Sequence, residues 1–204
     1  MSRFNTVLRS ICTVVAVAAM VQVAVAQSSR SVLNFAGAVS RDDGSASLSV
    51  TNTSSHFADA QFTFYNADGT LGAGPINPVS YHIPPRGQIV MRPNEIFGVG
   101  KRQGWVQATS STSGLQGFYF VGDFRGTLQG SESGTPLAEQ IIPFVGSDPF
   151  GAANIVVANP GAQKAVGTAI LYNIRGDEIG SFPLNSISPV MARTIAISAS
   201  GDVS

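Results

Sequence analysis

The sequence predicts an all-β protein built from antiparallel sandwiches, and three observations predict it. Apolar residues alternate with polar ones over short runs, the pattern of a strand with one buried face. Those runs are punctuated by turn signals in a chain holding 22 glycines and 11 prolines, with charged residues at only 12 %, about half the usual share. A block of the sequence also recurs a domain-length further on.

The N-terminus sets the compartment. Arg3 and Arg9 supply a positive start, and Ile11 to Val21 is an uninterrupted run without charge, the length of a signal-peptide core. Ala24-Val25-Ala26 offers small residues at the positions a signal peptidase reads, so residues 1–26 are expected to be a cleaved signal helix ending before Gln27. A retained anchor would want about 20 apolar residues, and Gln22 interrupts the run. The sole cysteine, Cys12, lies in this segment. The exported part therefore carries no disulfide and no cysteine-ligated metal, and a packed core alone must hold it. Removing Arg3 and Arg9 leaves 10 basic against 12 acidic residues, a net charge of −2. That balance argues against nucleic acid, which selects a basic stripe.

Strands follow in order. Leu48 and Val50 alternate with Ser47, Ser49 and Thr51. Gln61 to Asn66 alternates so that Phe62 and Phe64 face one way, and Asn66-Ala67-Asp68-Gly69 is a tight turn. Ser80 to Ile83 is short and stops at Pro84-Pro85-Arg86-Gly87, a stiff bend. Gln88 to Met91 resumes. Trp105 to Ser110 and Leu115 to Val121 flank a Ser/Thr/Gly turn. No window after the signal reads as an amphipathic helix.

The repeat relates residues 46–72 to residues 153–180. Val50, Asn52, Tyr65, Asn66 and Gly69 meet Val157, Asn159, Tyr172, Asn173 and Gly176, each 107 positions on. Phe35 and Gly37 meet Phe144 and Gly146 at 109, and Ile83 and Pro85 meet Ile187 and Pro189 at 104. Shifts of this kind are what loop insertions produce. The period has the size of an immunoglobulin-like sandwich. Two tandem copies are expected, residues 31–143 and residues 144–204, the second incomplete because counterparts of Gly98 to Ile142 are missing. Half a sandwich cannot cover its inner face or its edges. Either the chain continues, or the second copy takes strands from a neighbour. In place of the first copy's Pro84-Pro85-Arg86-Gly87 the second has Ser188-Pro189-Val190-Met191, where a different bend is expected.

Four segments carry a family resemblance: Ser47 to Asn52, Phe64 to Gly69, Ile83 to Gly87 and Gly104 to Ser110. They resemble the "T-x-L-x-V-x-N", "F-x-D-x-x-G", "I-P-P-x-G" and "G-W-x-x-V-x-S" segments of tandem immunoglobulin-like β-sandwich repeats in secreted bacterial proteins that themselves have no assigned activity. Asn66 stands where that pattern has Asp, and Ala108 where it has Val. The resemblance implies an extracellular module, often in series or appended to other domains, and hands over no catalytic residue.

Chemistry is sparse. His56 and His82 are the only histidines, and neither has a carboxylate at a motif spacing; no nucleophile elbow or zinc-protease helix is present. Asp42-Asp43-Gly44-Ser45 reads as a solvated hairpin turn, since calcium needs six to eight oxygens. Asp123, Arg125 and Glu132 do not define a glycosidase pair. No catalytic residue, metal or cofactor is expected. The candidate site is aromatic. A hairpin turning about Thr112 would oppose Trp105 to Tyr119 on an outer face, with Val106, Ala108, Phe118 and Phe120 inside. Such a pair could stack on a surface glycan or anchor a protein partner; it could equally be a stabilising cross-strand pair, or the register could turn Trp105 inward. The functional expectation is a non-catalytic structural or adhesive module, extracellular, cell-surface or periplasmic, with a glycan- or protein-binding module as the alternative. No membrane is expected as a partner after cleavage, and the oligomeric state stays open.

Overall fold

In the computed structural model the described residues are 30–37, 39–40, 46–98, 100, 102–122, 128–134, 139, 153–173 and 175–197. The expected signal segment, the turn at Asp42 to Ser45, Asp123, Arg125 and the boundary between the two copies lie outside them. In chain order the elements are β1 (Ser31–Phe35), β2 (Val39–Ser40), β3 (Ala46–Asn52), β4 (Ala58–Asn66), β5 (Val79–Ile83), β6 (Gln88–Met91), α1 (Pro93–Phe97), β7 (Arg102–Ser110), β8 (Leu115–Gly122), β9 (Leu128–Glu132), β10 (Ala153–Ala158), β11 (Ala165–Tyr172), β12 (Glu178–Ile187) and β13 (Ala192–Ile197). Among the described residues the protein is all-β apart from that single helical turn. Among the described residues no helix is long and apolar enough to cross a membrane.

The first nine strands form two antiparallel sheets around one core. One sheet runs β1-β7-β4-β5, with β2 also on β7; the other runs β6-β3-β8-β9. Alternation explains the core. Phe62, Phe64, Val106 and Ala108 come from one sheet, Leu48, Val50 and Tyr119 from the other, and all meet in a single buried cluster. Each fully buried Phe, Leu or Val contributes roughly 1.5–3 kcal/mol. The helical turn was not expected. Pro93 starts it, Gly98 ends it in a left-handed conformation (φ 62°), and it buries Ile96 and Phe97. Phe97 packs on Phe64 with ring centroids 5.7 Å apart.

The pairing of β7 and β8 corrects the hairpin expected there. β7 pairs with β1 and β4, and β8 pairs with β3 and β9, so the two lie in different sheets. The Ser111–Gly114 segment is a crossing, not a hairpin turn. Ser31 Oγ donates to the Thr112 carbonyl, and Thr53 donates its N–H and its hydroxyl to the Gly114 carbonyl. These ties come from distant strands, which local turn chemistry does not encode.

The last four strands pair as β10 with β13 and β11 with β12. Two side-chain knots have the same form in both parts of the chain. Buried Asn52 donates Nδ2 to the carbonyls of His56 (2.7 Å), Ile83 (3.1 Å) and Pro84 (3.1 Å), while its Oδ1 accepts the Ser54 N–H at 3.0 Å. Asn159 donates to Gln163 (2.7 Å), Ile187 (3.0 Å) and Ser188 (3.2 Å), and accepts the Gly161 N–H at 3.0 Å. The turns correspond too. Gly69 donates its N–H to the Asn66 carbonyl and Gly176 to the Asn173 carbonyl, both at 3.0 Å, with φ of 84° and 88° that favour glycine. The bends at Pro84–Gly87 and Ser188–Met191, expected to differ, share one form. Each closes residue one to residue four, with proline second and a left-handed third residue, Arg86 at φ 60° and Val190 at φ 63°, as in a type II turn.

Candidate functional site

Trp105 and Tyr119 do not form the exposed platform. Trp105 is 1 % exposed and Tyr119 is 6 % exposed. Tyr119 points into the core because β8 presents the opposite phase to the expected one. Leu115 and Tyr119 face inward, and Phe118, expected inside, is 43 % exposed. One residue of phase exchanges the faces of a strand, and the wrong hairpin set that phase. On β7 the expected faces hold: Val106 and Ala108 are inside and Trp105 is on the opposite face.

Trp105 is covered from two directions. Tyr65, directly opposite on β4, stacks on its ring with centroids 4.8 Å apart and planes 22° apart. The indole Nε1–H donates to the Val190 carbonyl at 2.7 Å. Val190 belongs to the β12–β13 turn, so this bond joins the two parts of the chain. The same seam holds a bond from the Ala192 N–H to the Ala67 carbonyl at 3.0 Å. A Cβ on Gly69 would sit 3.3 Å from Met191 and from the Pro189 carbonyl. Val190 is β-branched and left-handed, a conformation that costs about 1–2 kcal/mol, and the Trp105 bond lands on that residue's own carbonyl. Close approach extends to Gly104: a Cβ there would lie 2.0 Å from the Tyr65 carbonyl oxygen, so only glycine lets β7 pass beside β4 at the Trp105 end.

A second feature lies where β1 meets the edge of β8. A crevice of about 500 Å³ is lined by Leu33, Leu115, Ser49, Thr51, Gln116 and Phe118. Ser49, Thr51, Gln116 and Phe118 alternate with buried neighbours and so share the outer face of the β6-β3-β8-β9 sheet. Phe118 leans on Phe120 with centroids 6.4 Å apart. An apolar ring among hydroxyls and an amide is chemistry suited to a sugar face or a polar peptide. The reversed phase of β8 hid it from the sequence.

The histidines are accounted for differently. His82 Nδ1 lies 2.6 Å from Asp59 Oδ1, opposite it across β4 and β5, and Phe57 stacks on the imidazole at 4.5 Å. Both members of the pair are exposed, and an exposed pair of this kind contributes about 1 kcal/mol or less. His56 Nδ1 lies 3.3 Å from Ser55 Oγ. Among the described residues no group of three metal-ligating side chains comes together. The Asp68 carboxyl is held below its ordinary value of 3.8 first by the Thr70 hydroxyl and then by the Thr70 N–H.

No family model matches the chain. No curated protein matches it either. Among solved structures it is similar to the Anabaena sensory rhodopsin transducer, at 15 % identity and a TM-score of 0.33 over 50 % of this chain and 87 % of that one. It is also similar to Thermotoga maritima 1070, at 17 % identity and a TM-score of 0.35 over 50 % of this chain and 90 % of the other. Similarity at this level carries no argument about fold or function.

Proposed function

We propose that the chain is an exported, non-catalytic structural or adhesive module in which immunoglobulin-like sandwich units follow one another in series and are held in a fixed relative orientation. The supporting observation is Trp105. The single tryptophan, which a binding module would be expected to present, is instead spent on the seam, stacked on Tyr65 and bonded to Val190. A protein whose task is to set a distance or an angle needs stiff joints between units; otherwise relative domain motion is the default. The serial reading is supported by the matching Asn52 and Asn159 knots, whose partners keep the 107 and 104 spacings of the repeat. Trp105→Phe tests it, keeping the stack and deleting the N–H. Small-angle scattering is expected to show a longer and more variable particle while the unfolding midpoint of the first unit moves little. An unchanged scattering profile would count against a load-sharing seam.

A second reading is favoured by the crevice beside Phe118. It makes the outer face of the β6-β3-β8-β9 sheet a weak glycan- or peptide-binding surface, with Phe118 stacking and Gln116, Ser49 and Thr51 supplying hydrogen bonds. Retention on a panel of immobilised polysaccharides that vanishes in Phe118→Ala would support it. No retention by the parent chain would remove it.

A further inference from the structure

Phe118 is laid down as a flat plate on the outer face of its sheet. On β8 it stands opposite Ser49 of β3 and Glu132 of β9. A Cβ built on Gly130, two residues back along β9, would overlap Cζ and Cε1 of the Phe118 ring, so the ring lies diagonally across that glycine. Phe120, the direct partner of Gly130, supports it with centroids 6.4 Å apart. A side chain at position 130 would lift the ring off the sheet. Phe118 nonetheless stays 43 % exposed. Groups that both give and take hydrogen bonds surround it. One row across the sheet reads Val90, Ser49, Phe118, and the next reads Gln88, Thr51, Gln116. Strands lie about 4.8 Å apart and same-face rows about 7 Å, so the two rows make a patch of about 10 by 7 Å, the footprint of a disaccharide. Gln88 Nε2 donates to Ser49 Oγ at 2.6 Å, which leaves the serine proton to donate to a ligand. Val90, 63 % exposed, adds an apolar shoulder.

We infer that Phe118 is a preset stacking plate for one pyranose ring of a neutral glycan, with Gln88, Ser49, Thr51 and Gln116 bonding the hydroxyls of that ring and its neighbour, and with Gly130 as the positioning residue. The inference rests on the reading of this face as a binding surface and names its ligand. A pyranose has an apolar C–H face and a rim of hydroxyls, which matches a flat ring set among hydroxyls and amides. Holding the Phe118 ring down before the ligand arrives removes an ordering cost from binding. A peptide is the poorer match. Peptides that bind sheets do so by adding a strand at an open edge, whereas β3 lies between β6 and β8, and β8 at Phe118 lies between β3 and β9. The main-chain groups there are already taken, so recognition falls to side chains. The two rows hold no positive charge, and Glu132 ends the Phe118 row on β9. An acidic glycan is therefore disfavoured.

The test is saturation-transfer NMR on the full chain, titrated with neutral oligosaccharides of glucose, xylose and mannose. Oligogalacturonate serves as the acidic control and a neutral Ser/Gln/Phe peptide as the peptide control. Transfer to at least one neutral sugar is expected, and to neither control. Phe118→Ala should weaken the affinity by at least about 10-fold, and Phe118→Tyr should keep it. Gly130→Ala retains every contacting side chain. The nearest atoms its methyl meets are the far end of the Phe118 side chain, which can swing away. The thermal midpoint read from Trp105 should therefore hold while affinity falls by a similar factor. No transfer to any neutral sugar overturns the inference, as does binding that survives Phe118→Ala or is matched by oligogalacturonate. Full affinity in Gly130→Ala overturns the positioning role. If the peptide binds through Phe118 and no sugar does, the binding surface stands and the glycan assignment falls; if nothing binds, both fall.

Discussion

Replacing Asn52 by alanine removes a fully buried amide that ties three separate stretches of backbone. Its Nδ2 satisfies the carbonyls of His56, Ile83 and Pro84, and its Oδ1 holds the N–H and the hydroxyl of Ser54. His56 and Ser54 can turn to water. The Ile83 carbonyl is enclosed, and a buried group left without a partner costs about 1–3 kcal/mol, with about 1 kcal/mol for each further bond lost. Asn52→Ala should therefore destabilise the β1–β9 part of the chain by about 3–5 kcal/mol, a fall of roughly 10–20 °C in its melting midpoint. The assay is a urea titration read by fluorescence of Trp105, the only tryptophan in the chain. Asn52→Asp keeps the shape but points a carboxylate at carbonyl oxygens. Burial there raises its pKa, so its destabilisation should ease as pH falls and the protonated acid regains a donor. A loss under about 1 kcal/mol for Asn52→Ala, well below the range expected for an unpaired buried carbonyl, would refute the reasoning.

Other outcomes follow from single residues. Gly104→Ala drives a methyl into the Tyr65 carbonyl and should cost at least about 3 kcal/mol, whereas Gly176→Ala, with nothing within 4 Å, should cost only the strain of its positive φ, about 1 kcal/mol; equal losses in thermal melts would contradict the packing. Val190→Gly relieves a left-handed β-branched residue and should leave stability unchanged or raise it by up to about 1 kcal/mol, unless the valine side chain itself holds the seam, which a clear loss would reveal. The Asp68 pKa is depressed, so its support of the Asn66–Thr70 turn is complete above pH 3.8 and is lost as pH falls through the lower folded value. In an NMR titration the Thr70 amide should keep its shift to below pH 3.8 and then move with the Asp68 carboxyl; movement centred above 3.8 would oppose the hydrogen-bond assignment.

The faces of β3, β4 and β7 are legible in the sequence, and the partners between strands are not. Phe62 and Phe64, Leu48 and Val50, and Val106 and Ala108 all point inward as their alternation requires. The stop at Pro84 and the turn at Asn66 are local chemistry and were readable from a few residues. The β7–β8 pairing was misread because a Ser/Thr/Gly segment looks the same whether it reverses a chain within one sheet or carries it to another. What decides is the company of β1, β4, β3 and β9, and those contacts span the whole unit. The error propagated to the site, placing Tyr119 outside and Phe118 inside. Trp105 was on the right face of β7, yet its cover arrives from the β12–β13 turn 85 residues away. The knots are half visible: Asn52 and Asn159 mark the repeat, and a recurring asparagine at the end of an apolar strand is itself a sign of a buried amide that ties backbone.

The two knots also differ in how they age. Asparagine deamidates when the following backbone nitrogen attacks its side-chain carbonyl carbon and expels ammonia; water then opens the cyclic imide to aspartate or isoaspartate, whose ionised carboxylate cannot donate to the carbonyls that the amide held. Folded, both side chains are immobilised by their bonds and the chemistry is suppressed. Unfolded, Asn52 is followed by Thr53, which has the required N–H, whereas Asn159 is followed by Pro160, which lacks it. Each excursion out of the native state thus exposes the Asn52 knot, and not the Asn159 knot, to a covalent change that removes its donor. Long incubation in denaturant followed by peptide mass mapping should find the mass gain at Asn52 and none at Asn159. The chain would then carry a record of its unfolding history in one residue.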